Sequence, residues 1–242
     1  MAGINTHAPK GERDPLRKLD ATGFAPQLTR RSRSRVLHIC LLSAAVVFVA
    51  LAVTARMHGY SALDLNVTRA VQRYHGAAFA NLMVLTSWIG FMPQVIVIGG
   101  AGAAGLFLMG LRWEAAALLF AGVANALGAL VKVIVQRPRP TADLVQVFAE
   151  LNSPGFPSGH VLSVTASGGF LVFLVYTLLK PTWWRTLMLT LLLAQISLMG
   201  LSRIYMGQHW FSDTLGAYLL GSLWLALTIR FYRWGKIHEH RG

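Results

Sequence analysis

The chain has 242 residues, 55% of them hydrophobic and 13% charged, and its mean hydropathy of +0.52 is far above that of a water-soluble domain. Twenty-two Lys and Arg against nine Asp and Glu give a net charge of +13, but no basic stripe or nucleic-acid-binding motif goes with it, so membrane topology explains the charge better than a nucleic-acid partner does. The single cysteine, Cys40, lies in an apolar run, which excludes an intramolecular disulfide and a cysteine metal cluster.

Residues 1–35 are polar, contain Pro9, Pro15 and Pro26, and end in Arg30-Arg31-Ser32-Arg33-Ser34-Arg35, a composition expected to form a disordered basic tail. Residues 36–55 are almost wholly apolar, and about 20 residues at 1.5 Å each cross a hydrocarbon layer of about 30 Å. This first span reads as an uncleaved anchor. Residues 61–75 mix Leu63, Leu65, Val67 and Val71 with Asp64, Asn66, Arg69, Gln72 and Arg73 at nearly helical period; too polar to span, they are expected to lie along the membrane surface. The segment 82–89 is open between a short helix and a re-entrant piece. Further spans are expected at 94–111, 115–135, 161–179, 186–201 and 212–231, each with Gly or Ala for close helix contact. The expected fold is all-α: a polytopic integral membrane protein whose six-helix bundle, 36–235, lies between the tail 1–35 and a short tail 236–242.

With the N-terminus inside, fifteen Lys and Arg fall on the cytoplasmic side; Arg56, Arg69, Arg73, Lys132, Arg137, Arg139 and Arg203 fall on the other. That bias predicts both termini in the cytoplasm. It also puts the ends of spans three and five, and the starts of spans four and six, on the outer face.

Three polar segments sit at those outer ends: 132–140 (KVIVQRPRP), 157–160 (PSGH) and 202–213 (SRIYMGQHWFSD). A lone cation near a helix end is usually an anchor whose charged tip reaches back to the headgroups. Several cations with two histidines are different, because an ionised group inside a span costs roughly 2.5–3.5 kcal/mol, and a shared cavity or a bound anion has to offset that cost. Lys132, Arg139 and Arg203 offer charge for the oxygens of a phosphoryl group. Ser158 and Gly159 open a helix, presenting a hydroxyl and backbone N–H groups to an anion. His209 and Asp213 are four apart and so neighbours if the last helix begins there. They suggest a nucleophilic imidazole with an orienting carboxylate, leaving His160 to protonate the departing alkoxide.

These segments resemble the signature of the type 2 phosphatidic acid phosphatase superfamily, K-x6-R-P, P-S-G-H and S-R-x5-H-x3-D, with every constrained position filled between Lys132 and Asp213. Arg137-Pro138 offers a false frame, since only Arg139-Pro140 has six residues between it and Lys132. The resemblance implies a metal-independent lipid phosphatase that needs no cofactor and works through a phosphohistidine. It assigns His209 as nucleophile, Asp213 as its support and His160 as general acid, with Lys132, Arg139, Ser158, Gly159 and Arg203 on the phosphate. It also implies an amphiphilic substrate drawn from the surrounding membrane lipid: phosphatidate, phosphatidylglycerol phosphate, an isoprenyl diphosphate such as the undecaprenyl carrier, or lipid A. A lipid-phosphate transporter that does not hydrolyse its cargo is the alternative of a different class. The expected location is a bacterial inner membrane, with the active site outside.

The remaining polar and aromatic residues have plainer readings. A zinc site from His160, His209 and Asp213 would be opposed by the three nearby cations. His38, His58 and His75 read as structural or interfacial, Asn125 as a polar tie between helices, and the tryptophans, Trp210 among them, mostly as interface anchors.

Overall fold

The structure, a computed structural model, describes residues 24–239. Contacts divide the chain into two units, Met1–Leu42 and Ser43–Gly242. Helix α1 is Phe24–Met57. Pro26 falls in its first turn, where a missing N–H breaks no helical bond, and no proline or glycine follows before its end. The last twelve residues expected as disordered tail are therefore helical; the rest of that tail, 1–23, lies outside the described residues. In the first unit Val36, Leu37, Ile39 and Leu42 are all exposed, as suits a helix facing lipid.

The second unit holds the remaining helices: α2 Ala62–Gln72, α3 Ala77–Ile89, α4 Met92–Leu108, α5 Arg112–Gly122, α6 Ala124–Val135, α7 Gly159–Ser163, a π-helical turn Val164–Gly168, α8 Gly169–Leu178, α9 Trp183–Tyr205 and α10 Phe211–Glu239. Five stretches are long and apolar enough to cross a membrane: Ser34–Met57, Arg112–Val135, Gly159–Leu178, Trp183–Tyr205 and Phe211–Glu239. The pair α3 and α4, bent by 59°, makes six when counted as one crossing. The segment 82–89 thus belongs to a helix that stops at Gly90, and Pro93 starts the next one in its first turn. Helix α10 runs to Glu239, so the short C-terminal tail expected from 236 is helical over its described part.

Helix α2 departs from the expectation for a surface helix. Its capping box joins Ser61 and Asp64, yet the face it buries is the polar one, Asp64, Thr68 and Gln72, while Leu63 is 60% exposed. Gln72 explains the inversion. Its amide donates to the carbonyls of Gln146 (2.7 Å) and Tyr205 (2.9 Å) and accepts from the Gln146 N–H (3.0 Å). These bonds clamp α2 onto the end of α9 and the 136–158 loop, and Val71 of its apolar side packs against Met83, Tyr205 and Met206.

Spanning helices meet where a side chain is missing. A methyl group on Gly128 would reach Leu162 at 2.5 Å, one on Gly221 would reach Thr165 at 2.7 Å, and one on Gly216 would reach Phe156 at 2.6 Å, so these glycines let α6 approach α7, and α10 approach the π-helical turn and the 136–158 loop. Asn125 donates to Ser163 Oγ at 3.3 Å, the interhelical tie expected of it. The loop after α6 starts at Gln136, which takes the left-handed conformation (φ 51°) and ends the helix ahead of Pro138 and Pro140.

Gly207, between α9 and α10, combines φ +62° with a Cβ position 1.9 Å from the Gln146 carbonyl oxygen. Gly207→Ala meets strain and backbone together and should cost about 2 kcal/mol or more, read as a drop of several degrees in the melting temperature of the detergent-solubilised protein. An unchanged melting temperature would mean that the 146–148 strand of the loop is free to move away.

Candidate active site

The helix ends bring the predicted residues together. Lys132 lies in the last turn of α6, Arg139 in the loop that follows, Ser158 at the N-cap of α7 with Gly159 and His160 in its first turn, Arg203 in the last turn of α9, and Asp213 in the first turn of α10. His209 lies just before α10 and not within it. It still meets Asp213, with Nδ1 3.5 Å from Oδ2, because the carboxylate folds back to cap the helix by accepting the Trp210 N–H at 2.9 Å. The neighbourhood expected from helical spacing is made by a cap.

The orientation of His209 follows from donor counting. Arg139 Nη1 is 3.0 Å from His209 Nε2, and a guanidinium has only hydrogens to give. Nε2 therefore accepts, and the ring proton sits on Nδ1, facing Asp213. Arg139 also donates to the carbonyls of Gln208 (2.5 Å) and Ser153 (2.6 Å) and to Ser153 Oγ (3.0 Å). Lys132 Nζ donates to the Pro154 carbonyl at 2.6 Å. Arg203, fully buried, reaches Ser87 Oγ on α3 through Nη1.

Charge in this cluster is unbalanced. Among the described residues none of Lys132, Arg139 and Arg203 forms an ion pair with a carboxylate. Among the described residues several buried polar atoms also lack a hydrogen-bond partner, including Arg203 Nε and Nη2, Ser158 Oγ, His160 Nε2 and His209 Nδ1, which stays 3.5 Å from Asp213. Burial, and after it the charges of Arg139, Arg203 and Lys132, hold the His209 imidazolium well below the ordinary histidine range, so its ring is neutral at neutral pH. Unpaired buried cations with orphaned donors suit a bound anion, and a neutral imidazole whose Nε2 lone pair is held only by the Arg139 hydrogen bond suits nucleophilic attack on that anion's centre once Arg139 turns to it. Among the described residues no three His, Cys, Asp or Glu side chains gather in the manner of a metal site.

Residues outside the sequence expectation complete the cluster. Arg137, set aside there as a false frame, is 3% exposed and bridges two carboxylates: Nη1 to Asp213 Oδ1 at 2.6 Å and Nη2 to Asp64 Oδ2 at 2.8 Å. Asp64 of α2 also accepts from the N–H and hydroxyl of Ser212, at 2.8 and 2.7 Å. Ser87 anchors Arg203, and the Phe91 ring meets the His160 ring edge to face, 5.0 Å between centroids. Trp210, grouped with the interface anchors, is 1% exposed and stacks on Tyr60 at 5.0 Å. The sequence signal for Asp64 was its place in the capping box; nothing local distinguished Ser87 or Phe91.

Comparison with known proteins bears on the family and the fold. A curated relative, phosphatidylglycerophosphatase B of Bacillus subtilis (strain 168), is 28% identical over 134 residues, 54% of this chain and 63% of the relative. The chain thus spans less than two thirds of that relative's length. Among solved structures, a transmembrane PAP2-type phosphatidylglycerolphosphate phosphatase from Bacillus subtilis superposes with a TM-score of 0.69 at 23% identity, covering 79% of this chain and 94% of the other. Aquifex aeolicus LpxE superposes with a TM-score of 0.57 at 18% identity, covering 70% and 96%. At these identities the likeness to solved structures is one of fold. The sequence profile of the PAP2 superfamily matches residues 113–236, more than half of the chain and all three motif segments, and the chain belongs to the PAP2 superfamily.

Proposed function

We propose that the protein hydrolyses a lipid phosphate through a phosphohistidine on His209. The observation that carries this reading is the cluster of three cations without a carboxylate partner, Lys132, Arg139 and Arg203, around a neutral imidazole whose Nε2 lone pair already accepts from one of them. A phosphoryl group takes the place of the missing carboxylates. Ser158 Oγ and the free nitrogens of Arg203 are the donors left for its oxygens, and Gly159, in the first turn of α7, adds its backbone N–H.

In the first step His209 Nε2 attacks phosphorus. The N–P bond forms while the bond from phosphorus to the lipid oxygen breaks, and His160, protonated in the complex because the bound phosphate offsets the three cations, gives that oxygen its proton. Asp213 accepts the Nδ1–H and offsets the positive charge that develops on the ring. In the second step His160, now neutral, takes a proton from water, whose oxygen attacks phosphorus and breaks the N–P bond, releasing inorganic phosphate. Lys132, Arg139 and Arg203 supply the charge neutralisation that divalent ions supply in many phosphoryl-transfer enzymes. The substrate is amphiphilic, because helix ends at a membrane boundary take a headgroup while the tail stays in the leaflet. Phosphatidylglycerol phosphate stands first in the panel because the Bacillus subtilis relatives carry that name; phosphatidate, an isoprenyl diphosphate such as the undecaprenyl carrier, and lipid A follow.

The purified protein should release inorganic phosphate from at least one of these lipids in excess EDTA, and His209→Ala should abolish release. His160→Ala should lose most activity on an alkyl phosphate and much less on an activated aryl phosphate, whose leaving group needs little protonation. Activity lost in EDTA and restored by a divalent ion, or lipid binding without phosphate release, would overturn the reading; the second outcome would point to a transporter.

The protonation state of His209 has its own test. With its folded pKa lowered well below the ordinary histidine value, the ring stays neutral where a free histidine titrates, so the histidine signal lost in His209→Ala should not shift in nitrogen NMR between about pH 6 and 8. A midpoint near the ordinary histidine value of about 6.5 would contradict the burial argument.

Both termini are proposed to be cytoplasmic and the site external, on the fifteen-to-seven division of Lys and Arg. In a Cys40→Ser background on intact cells, an impermeant thiol reagent should label Thr141→Cys and leave Thr182→Cys untouched until the membrane is opened. The reverse pattern would put the site inside.

A further inference from the structure

We propose that Asp64, on the polar face of α2, is a positioning residue for the reaction: through Arg137 it keeps the buried unit behind His209 at a net charge of minus one. This rests on the phosphohistidine reading above and adds to it a residue outside all three motif segments.

His209 acquires positive charge as it attacks phosphorus, and the group that must offset it is Asp213. Asp213 is fully buried and is not free to act as a lone anion. Its Oδ1 lies 2.6 Å from Arg137 Nη1, and Oδ2 accepts the Trp210 N–H at 2.9 Å, with His209 Nδ1 3.5 Å away. A guanidinium on one oxygen of a carboxylate weakens the field that the carboxylate presents to a third group, so Arg137 alone would offset part of the charge that His209 needs. The second carboxylate restores it. Asp64 is 1% exposed and 2.8 Å from Arg137 Nη2, so the three groups together carry two negative charges and one positive.

The surroundings of Asp64 suit a permanent charge better than a structural tie. Its two oxygens accept five hydrogen bonds: from Ser212 N and Oγ (2.8 and 2.7 Å), Arg137 Nη2 (2.8 Å), and Ser61 N and Oγ (3.0 and 2.9 Å). Burial alone would raise its pKa, but the Ser212 bonds and the Arg137 charge outweigh that and hold the group below the usual carboxylate range. The Ser212 contacts also join α2 directly to the first turn of α10, next to Asp213. The inward-turned polar face of α2 thereby gains a purpose: it delivers an anion to the back of the site.

Charge logic and a purely structural role make opposite predictions for a double variant. Asp64→Asn leaves the unit neutral; it should lower kcat about 20-fold, as loss of one unit charge two hydrogen-bonded groups away implies, with KM near that of the wild type. Asp64→Asn/Arg137→Gln returns the unit to minus one, carried by Asp213 alone, and should recover a measurable part of the lost kcat. The proposal is overturned if Asp64→Asn keeps full kcat, if KM rises in place of the fall in kcat, or if the double variant is slower than Asp64→Asn. Should the double variant not yield a monodisperse peak in detergent, Asp64→Asn decides alone: a fall in kcat at unchanged KM and unchanged melting temperature supports the proposal, and a fall that tracks a lower melting temperature overturns it. Failure of the wild-type protein to release phosphate would count against the underlying phosphatase reading, which separates the two failures.

Discussion

Burying more positive than negative charge at one end of a helical bundle is the constraint on which the rest of this structure depends. Arg203 is wholly buried, Lys132 and Arg139 are half-buried, and none of them is matched by a carboxylate among the described residues. Such an arrangement is tolerable only where backbone carbonyls and hydroxyls partly solvate the cations. Pro154 and Ser153 in the loop, Gln208 before α10 and Ser87 on α3 do this here. What they leave over among the described residues, the guanidinium Nε and Nη2 of Arg203 and the hydroxyl of Ser158, suits an anion.

The fold is arranged to supply those partners. Two spanning helices end and two begin at the same level, which brings the four motif-bearing helix ends within reach of one another. The loop 136–158 drapes carbonyls over them, and its own course is pinned by Gln72 from α2 and by the close approach of Gly207 to Gln146. The bend between α3 and α4 has a part as well, setting Ser87 on Arg203 and Phe91 against His160.

Much of this was legible in the sequence, and the exceptions have physical causes. Spans are found by length and hydropathy because lipid requires both, and the motif residues stand out because charge near a span has to be explained. The start of α1 at Phe24 was missed because the basic segment was judged by composition, although nothing after Pro26 breaks a helix. Helix α2 was assigned to the surface because hydropathy identifies an amphipathic helix without saying which face turns inward; only the partners of Asp64 and Gln72, far away in sequence, decide that. Arg137 was passed over for a similar reason, since spacing from Lys132 selects Arg139 and says nothing about a guanidinium that serves carboxylates. Ser87 and Phe91 carry no local signal at all, and their roles arise from the bend that brings them to Arg203 and His160.

The most direct test of the account is to find where phosphorus is bonded during turnover. The wild-type protein, quenched in alkali after brief exposure to a phosphate-labelled lipid substrate and digested under conditions that preserve phosphoramidates, should carry label on the peptide containing His209, stable to alkali and lost in acid. Label on a serine or an aspartate, or on His160, would contradict the assignment of His209 as nucleophile, as would phosphate release without any labelled protein when quenching is faster than turnover.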